Sequence, residues 1–172
     1  MYQIVSVDQM RKLEDEANEN GLGYAQMMQN AGMGVGALIQ KKFKKQEGKA
    51  IIGLVGSGNN GGDALTALTY LQEHDWKTNA YLLKVRKDEG GLIKRYLASG
   101  GKIIFYEKDS DFAEIDKCIS AFDFILDGIL GIGIRLPLRG EAKELLHYLK
   151  EKEGLPPIIA VDCPSGVDCD SG

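Results

Sequence analysis

The chain has 172 residues and a net charge of −4, with 44% hydrophobic and 27% charged residues. This length suits one domain with a buried core, and the composition excludes disordered and fibrous proteins. The acidic balance argues against a nucleic-acid partner, since we interpret the one basic run, at Lys41, Lys42, Lys44 and Lys45, as the solvated end of a helix.

Membrane and secretory classes are also disfavoured. Every apolar run is shorter than the roughly 20 residues that span a bilayer, and no secretory signal precedes the first helical pattern. The three cysteines, Cys118, Cys163 and Cys169, are odd in number and lack zinc-site spacing. We therefore expect reduced thiols and a cytoplasmic protein.

Two helical patterns come before any strand. Ser6 and Gln9 have the spacing of a capping box, and Met10, Leu13 and Ala17 then share one helical face. The second pattern ends near Gly48 and places these apolar residues at helical spacing: Tyr24, Met27, Met28, Ala31, Val35, Leu38 and Ile39. The pattern carries more apolar side chains than packing on one face of the sheet requires, in particular Met27, Met28, Val35 and Leu38. We therefore expect a homodimer interface there.

From residue 51 onward, short apolar runs alternate with helical patterns. The runs cover residues 51–55, 80–85, 102–106, 122–126 and 157–161, and the helical patterns cover 64–71, 92–97, 115–119 and 141–150. This alternation predicts an α/β fold, a Rossmann-like three-layer αβα sandwich with a mostly parallel sheet, in a single domain over residues 1–172. Because the sequence stops just after the fifth run, we expect that the last strands are missing or that a partner covers the sheet edge.

The strongest functional signal follows the first run, where residues 56–63 read Gly-Ser-Gly-Asn-Asn-Gly-Gly-Asp. Glycines leave backbone N–H groups accessible at a helix start, which favours a phosphate or pyrophosphate. The segment lacks a Walker lysine and the acidic residue of an ordinary dinucleotide fingerprint. Asn59, Asn60 and Asp63 are interpreted as ligand contacts; the alternative is that the asparagines occupy left-handed turn positions and Asp63 caps the helix.

Two further loops follow strand ends. Asp127 comes after the fourth run, and Asp162 and Ser165 come after the fifth. Their oxygen atoms suit a hard cation, although Asp127 could instead only cap a turn. Cys163 is expected to be a buried, inert thiol rather than a nucleophile, and His74 and His147 are expected on helix surfaces.

Taken in order, these motifs resemble the YjeF N-terminal domain, the NAD(P)H-hydrate (NAD(P)HX) epimerase family. The resemblance rests on residues 28–32 (Met-Gln-Asn-Ala-Gly), residues 58–63, Asp127 with Gly131 and Gly133, and residues 162–168 (Asp-Cys-Pro-Ser-Gly-Val-Asp). Gln29 stands where the family usually has Glu, and Ala64 where it usually has Gly.

The resemblance implies an isomerase that interconverts the R and S forms of hydrated NADH and NADPH for cofactor repair. It implies a potassium ion on Asn60, Asp127 and Ser165, a usually dimeric protein, and a fused or separate dehydratase partner. Its implied substrate-binding residues are Asn59, Asn60, Gly61, Gly62, Asp63, Gly131, Ile132, Gly133, Ile134, Arg135, Leu136, Pro137 and Asp162.

Inverting the hydrated carbon requires a group that gives and takes a proton, and we assign this role first to Asp162 and second to Asp63. A non-catalytic ligand-binding or dimerisation module on the same fold is the alternative. A third, weaker hypothesis is an NAD-dependent dehydrogenase, which the missing ribose-binding acid disfavours.

Overall fold

A computed structural model describes residues 4–45, 49–85 and 88–172 of the chain. The helices in these residues are α1 (Val7–Glu19), α2 (Tyr24–Lys42), α3 (Asn59–Gln72), α4 (Leu92–Ala98), α5 (Ala113–Ala121) and α6 (Gly140–Lys150). The strands are β1 (Ala50–Val55), β2 (Lys77–Leu82), β3 (Lys102–Phe105), β4 (Phe124–Gly128) and β5 (Ile158–Ala160).

The strands form one sheet in the order β3-β2-β1-β4-β5, and every pairing is parallel. The central strands β1 and β4 are buried at every residue, because helices cover both of their faces. The predicted three-layer αβα sandwich is therefore confirmed.

Two apolar clusters fill the space between the sheet and its helices. One joins α2, α3 and α4 to the first face, and its largest buried members are Trp76 and Tyr96. The other joins α5 and α6 to the second face around Tyr81 and Ile125. The chain thus winds from β1 through α3 and α4 on one face to β3, and then through α5 and α6 on the other.

Helix α1 starts as predicted but is attached to the rest of the protein mainly by polar contacts. Ser6 and Gln9 form the reciprocal capping box, and no residue of α1 is buried. The Tyr24 hydroxyl donates to the Asp15 carboxylate, and the Val7 N–H donates to the Asp170 carboxylate at 3.0 Å. The second contact joins residues that are 163 positions apart.

Helix α2 differs from its prediction at two points. It ends at Lys42, and Gly48 lies outside the described residues. Met28 and Val35 pack against the core, and Met27 is half-buried, so Leu38 (63% exposed) is the only one of the four proposed interface residues that is exposed. Lys41, Lys42, Lys44 and Lys45 are exposed around the helix end, as predicted.

Three predicted boundaries move for local reasons. Strand β2 begins at Lys77 rather than residue 80, because Thr78, despite its polar side chain, is buried and bonded through its N–H and hydroxyl to Gln72. Strand β4 runs two residues beyond Leu126 and so contains Asp127. Helix α3 begins at Asn59, five residues before the predicted start at Ala64.

Small residues let α2 and α3 pack closely. A Cβ atom added at Gly32 would lie 2.5 Å from Thr66 Cβ and 2.6 Å from the Asp63 carbonyl oxygen, whereas one added at Gly34 would meet nothing within 4 Å. Both glycines lie inside α2 and gain the same helix propensity on replacement by alanine.

We expect Gly32→Ala to lower the free energy of unfolding by about 1–3 kcal/mol, because the methyl group overpacks the contact with α3. Gly34→Ala is the matched control and should raise it by up to about 1 kcal/mol. Urea unfolding of both variants measures the difference. Equal stabilities would contradict this account of the helix contact.

Candidate active site

The candidate site lies where the winding of the sheet reverses. Strands β1 and β4 are neighbours, but β1 leads into α3 on one face and β4 leads towards α6 on the other. Ligands of open α/β sheets bind in the crevice at such a reversal, beyond the carboxyl ends of the strands. The segments after β1, β4 and β5 all meet there.

The glycine-rich segment after β1 is a helix start rather than a loop. Asn59–Asp63 form the first turn of α3, neither asparagine has a positive φ, and the N-cap is Gly58. Both parts of the alternative interpretation, left-handed asparagines and an Asp63 cap, are therefore wrong. Glycine is needed here for space: a Cβ at Gly56 would lie 2.0 Å from the Ile129 carbonyl oxygen, and one at Gly61 would lie 2.0 Å from that of Gly56.

This helix start has the chemistry of an anion site. Gly58 contributes no capping side chain, so the first N–H groups of α3 remain available to a negative ligand. Asn59 is exposed at the crevice and Asp63 is half-buried, whereas Gly61 and Gly62 are buried. Ala64 is fully buried and its Cβ faces Gly128, so the methyl group that replaces the usual glycine packs against β4.

The carboxylate of Asp127 joins β4 to the segment after β5. Its Oδ2 accepts the Ser165 N–H at 2.8 Å, and its Oδ1 accepts the Ser165 hydroxyl at 2.6 Å and the Ile129 N–H at 3.2 Å. The residue is buried. Asp127 does form a turn with Ile129, as in the alternative interpretation. It also accepts two hydrogen bonds from Ser165, so its role is not limited to capping that turn.

Asn60 connects α3 to the same point. Its Nδ2 donates to the Leu130 carbonyl at 2.8 Å, and the Leu130 N–H donates to the Ser165 hydroxyl at 2.9 Å. Asn60 Oδ1 is buried and has no hydrogen-bond partner among the described residues. The structure therefore brings Asn60, Asp127 and Ser165 together around Leu130, with one buried oxygen that lacks a donor.

Asp162 lies next to this cluster in a constrained conformation. Its φ is 67°, in the left-handed region that aspartate tolerates better than most residues, and the residue is exposed to solvent. The Ile132 N–H donates to Asp162 Oδ2 at 3.0 Å, and a Cβ at Gly131 would lie 2.7 Å from that oxygen and 3.2 Å from Asn60 Cβ. Only glycine at position 131 lets the three segments meet.

Residues after Gly131 border an open cavity of about 490 Å³. Of the predicted substrate-binding residues, Gly133, Arg135, Leu136 and Pro137 line it, together with Leu130, Leu138, Arg139 and Ala142. Ile132 faces Asp162 through its N–H, and the Ile134 N–H closes a turn on the Gly131 carbonyl at 3.1 Å.

A second cavity, of about 110 Å³, was not predicted from the sequence. It brings Asn59 and Asp63 together with residues of the first two helices, namely Glu14, Tyr24, Met27, Met28 and Ala31. The apolar faces of those helices could have indicated this cavity, but the sequence analysis assigns them to a dimer interface.

The thiols and histidines take no part in the hydrogen bonds of the site. All three cysteines are free; burial raises the pKa of the Cys163 thiol to about 12, with the Cys169 thiol and the Asp162 charge adding to the effect. Cys163 is half-buried and protonated at neutral pH, which supports the inert assignment. His147 is exposed on α6, while His74 lies in the turn after α3, stacked on Tyr70.

Within residues 4–45, 49–85 and 88–172 no three His, Cys, Asp or Glu side chains are grouped as a metal site. None of the helices described there is both long and apolar enough to cross a membrane.

The chain was then compared with known proteins. Residues 24–172 match a family described as YjeF-related protein N-terminus. The chain is 34% identical to the bifunctional NAD(P)H-hydrate repair enzyme Nnr of Archaeoglobus fulgidus, over 99% of this chain and 34% of that protein. It is 30% identical to the NAD(P)H-hydrate epimerase of Nitrosopumilus maritimus, over 98% of this chain and 77% of that protein.

The fold is shared with a solved structure. The crystal structure of yeast ynu0 superposes with a TM-score of 0.87 at 23% sequence identity, covering 99% of this chain and 74% of that one. The chain spans about a third of the length of the bifunctional relatives that it matches.

Proposed function

Since the chain belongs to the family described as YjeF-related protein N-terminus, we propose that it is an isomerase that interconverts the R and S epimers of hydrated NADH and NADPH. The observation that carries this proposal is the meeting of three strand-end segments at Gly131, which places the exposed Asp162 beside the start of α3. Curated relatives at about 30% identity carry the name of this activity.

In this proposal the dinucleotide lies across the crevice between the segments after β1 and β4. Its pyrophosphate occupies the uncapped start of α3, where backbone N–H groups favour an anion, and Asn59 contacts it from the exposed side. The remainder of the molecule follows residues 131–137 along their cavity.

Asp162 supplies the proton transfer. In its acid form it protonates the C6 hydroxyl of the hydrated ring, which leaves as water while the ring nitrogen lone pair forms an iminium-like cation. Water then returns to either face of C6 and the carboxylate takes back a proton, so both epimers are reached. The Ile132 N–H holds Asp162 Oδ2 and thereby orients the carboxyl group towards the crevice; Asp63 is the second candidate.

We expect Asp162→Asn to slow R-to-S exchange by about 10²–10⁴-fold, since the amide cannot donate and accept the proton in turn. Asparagine tolerates the left-handed backbone and can still accept from Ile132, so the fold should be retained. Asp170→Asn, nearby and able to keep its bond to Val7, is the matched control. A chiral assay of the hydrates measures the rates; a wild-type protein that does not accelerate exchange would refute the epimerase in favour of a non-catalytic binding module.

We also propose that potassium binds at Asn60, Asp127 and Ser165. The residues fit the ion. Their available ligands are oxygen atoms, Asn60 Oδ1 is buried and has no donor within the described part of the chain, and a single carboxylate is too little charge for a tight calcium site. When bound, the cation would supply positive charge beside Asp127 and fix the segment around Leu130. The family resemblance supports the choice of a monovalent ion.

Asp127→Asn should weaken both ion retention and epimerase activity, because it removes the only charged ligand. Ser165→Ala should be milder, because water can replace a hydroxyl ligand and the Ser165 N–H still holds Asp127. Anomalous scattering from crystals soaked in rubidium or thallium salts reports the ion independently of activity. Absence of a peak among these three residues would remove the ion site even if the chain were an active epimerase.

Protein partners are a further part of the proposal. The bifunctional relatives suggest that a dehydratase, fused or separate, completes the repair of the hydrate. We retain a homodimer through α2, with the exposed residues Leu38 and Tyr24, which share one side of the helix, in place of the half-buried Met27, Met28 and Val35.

Replacing Leu38 by glutamate should dissociate that dimer, because a charge would be buried in an apolar interface. Light scattering at micromolar concentration gives the mass of both forms. A monomeric wild type, or a variant that stays dimeric, would contradict the interface.

A further inference from the structure

Three basic side chains border the crevice beyond the residues assigned to it above, and they continue from Arg135, which is already assigned. We call Arg135, Arg139, Lys143 and His147 the basic strip. Arg135 and Arg139 line the cavity of about 490 Å³, and Arg139, Lys143 and His147 line an adjoining depression of about 380 Å³. The two share Leu138 and Arg139, so they form one continuous concave surface.

The positive charge of the strip exceeds the negative charge beside it. Arg135, Arg139 and Lys143 are exposed and form no ion pair within residues 4–45, 49–85 and 88–172. Glu144 lines the same depression and offsets one of these three charges, while Glu141 pairs with Lys84 at 3.1 Å. The net positive charge of this concave surface, on a chain of net charge −4, favours an anionic ligand.

The strip is joined to the proposed substrate site through Leu130. That residue lines the larger cavity, and its carbonyl accepts Asn60 Nδ2 in the first turn of α3. A dinucleotide with its pyrophosphate at the start of α3 would therefore extend along this cavity towards Arg139. Its pyrophosphate is already bound, so the anion left for the strip is a phosphate group at the adenosine end.

We propose that the basic strip binds the 2′-phosphate of hydrated NADPH, with Arg139 and Lys143 as the main contacts, and that the chain prefers this substrate to hydrated NADH. The inference rests on the proposed epimerase function and names which of its two substrates fits. An arginine can bind a phosphate with two parallel hydrogen bonds, and a nearby arginine is a common way to accommodate this group. Hydrated NADH carries a hydroxyl at that position and gains no such contact.

The kinetic test compares kcat/KM for the two hydrates. Wild type should favour hydrated NADPH, and Arg139→Ala or Lys143→Ala should lower the ratio of its kcat/KM to that for hydrated NADH by about 10–100-fold. Lys150→Ala is the matched control, since Lys150 is an exposed cation of the same helix outside both depressions, and it should change neither value. Equal use of both hydrates by wild type and variants would overturn the inference.

A binding test separates this inference from the epimerase itself. Isothermal titration with 2′,5′-ADP and 5′-AMP requires no turnover, and 2′,5′-ADP should bind about 10-fold or more tightly until Arg139 or Lys143 is replaced. If that pattern holds but neither hydrate is epimerised, the strip stands and the proposed function fails. If both hydrates are epimerised and the two nucleotides bind equally to all forms, the proposed function stands and the strip fails.

Discussion

Asp127 is a buried residue, 6% exposed, at the end of a central strand, and the arrangement of the site depends on how its carboxylate is hydrogen-bonded. A buried carboxylate is costly unless donors surround it, and two of its three donors belong to Ser165, 38 residues further along the chain. The segment after β5 is therefore fixed against β4, and Asp162 is held three residues before that anchor. The position of the proposed acid, Asp162, is therefore fixed through the bonds between Asp127 and Ser165.

Space is the second constraint, and it acts through glycine. Gly56, Gly61 and Gly131 bring backbones and side chains closer than any Cβ would allow, and none of them has a positive φ. Gly56 and Gly61 therefore provide close packing between β1, α3 and the segment after β4, in addition to leaving the N–H groups at the start of α3 accessible. These close contacts hold both Asn60 and Asp162 next to Gly131 before any ligand arrives, which lowers the ordering cost of binding.

The fold and the segments that form the site could be predicted from the sequence. Buried parallel strands are continuous apolar runs, and the end of each run shows where the carboxyl end of its strand lies. The sequence was insufficient for the start of α3, where asparagines and glycines of low helix propensity are held in a helix by packing on β1 and β4. The left-handed backbone conformation of Asp162 could not be predicted from its residue type alone. The basic strip is visible in the sequence, because Arg139, Lys143 and His147 recur every four residues, but the helix was predicted from its apolar face alone.

The hydrogen bond between Val7 and Asp170 determines when α1 can complete its contacts during synthesis. Helix α1 has no buried residue, and its contact with Tyr24 forms early, but its other partner leaves the ribosome 163 residues later. At about 5–20 residues per second, that interval is roughly 8–30 s. Through this time Met10 and Leu13, which stay exposed in the folded protein, belong to a helix that lacks its bond to Asp170.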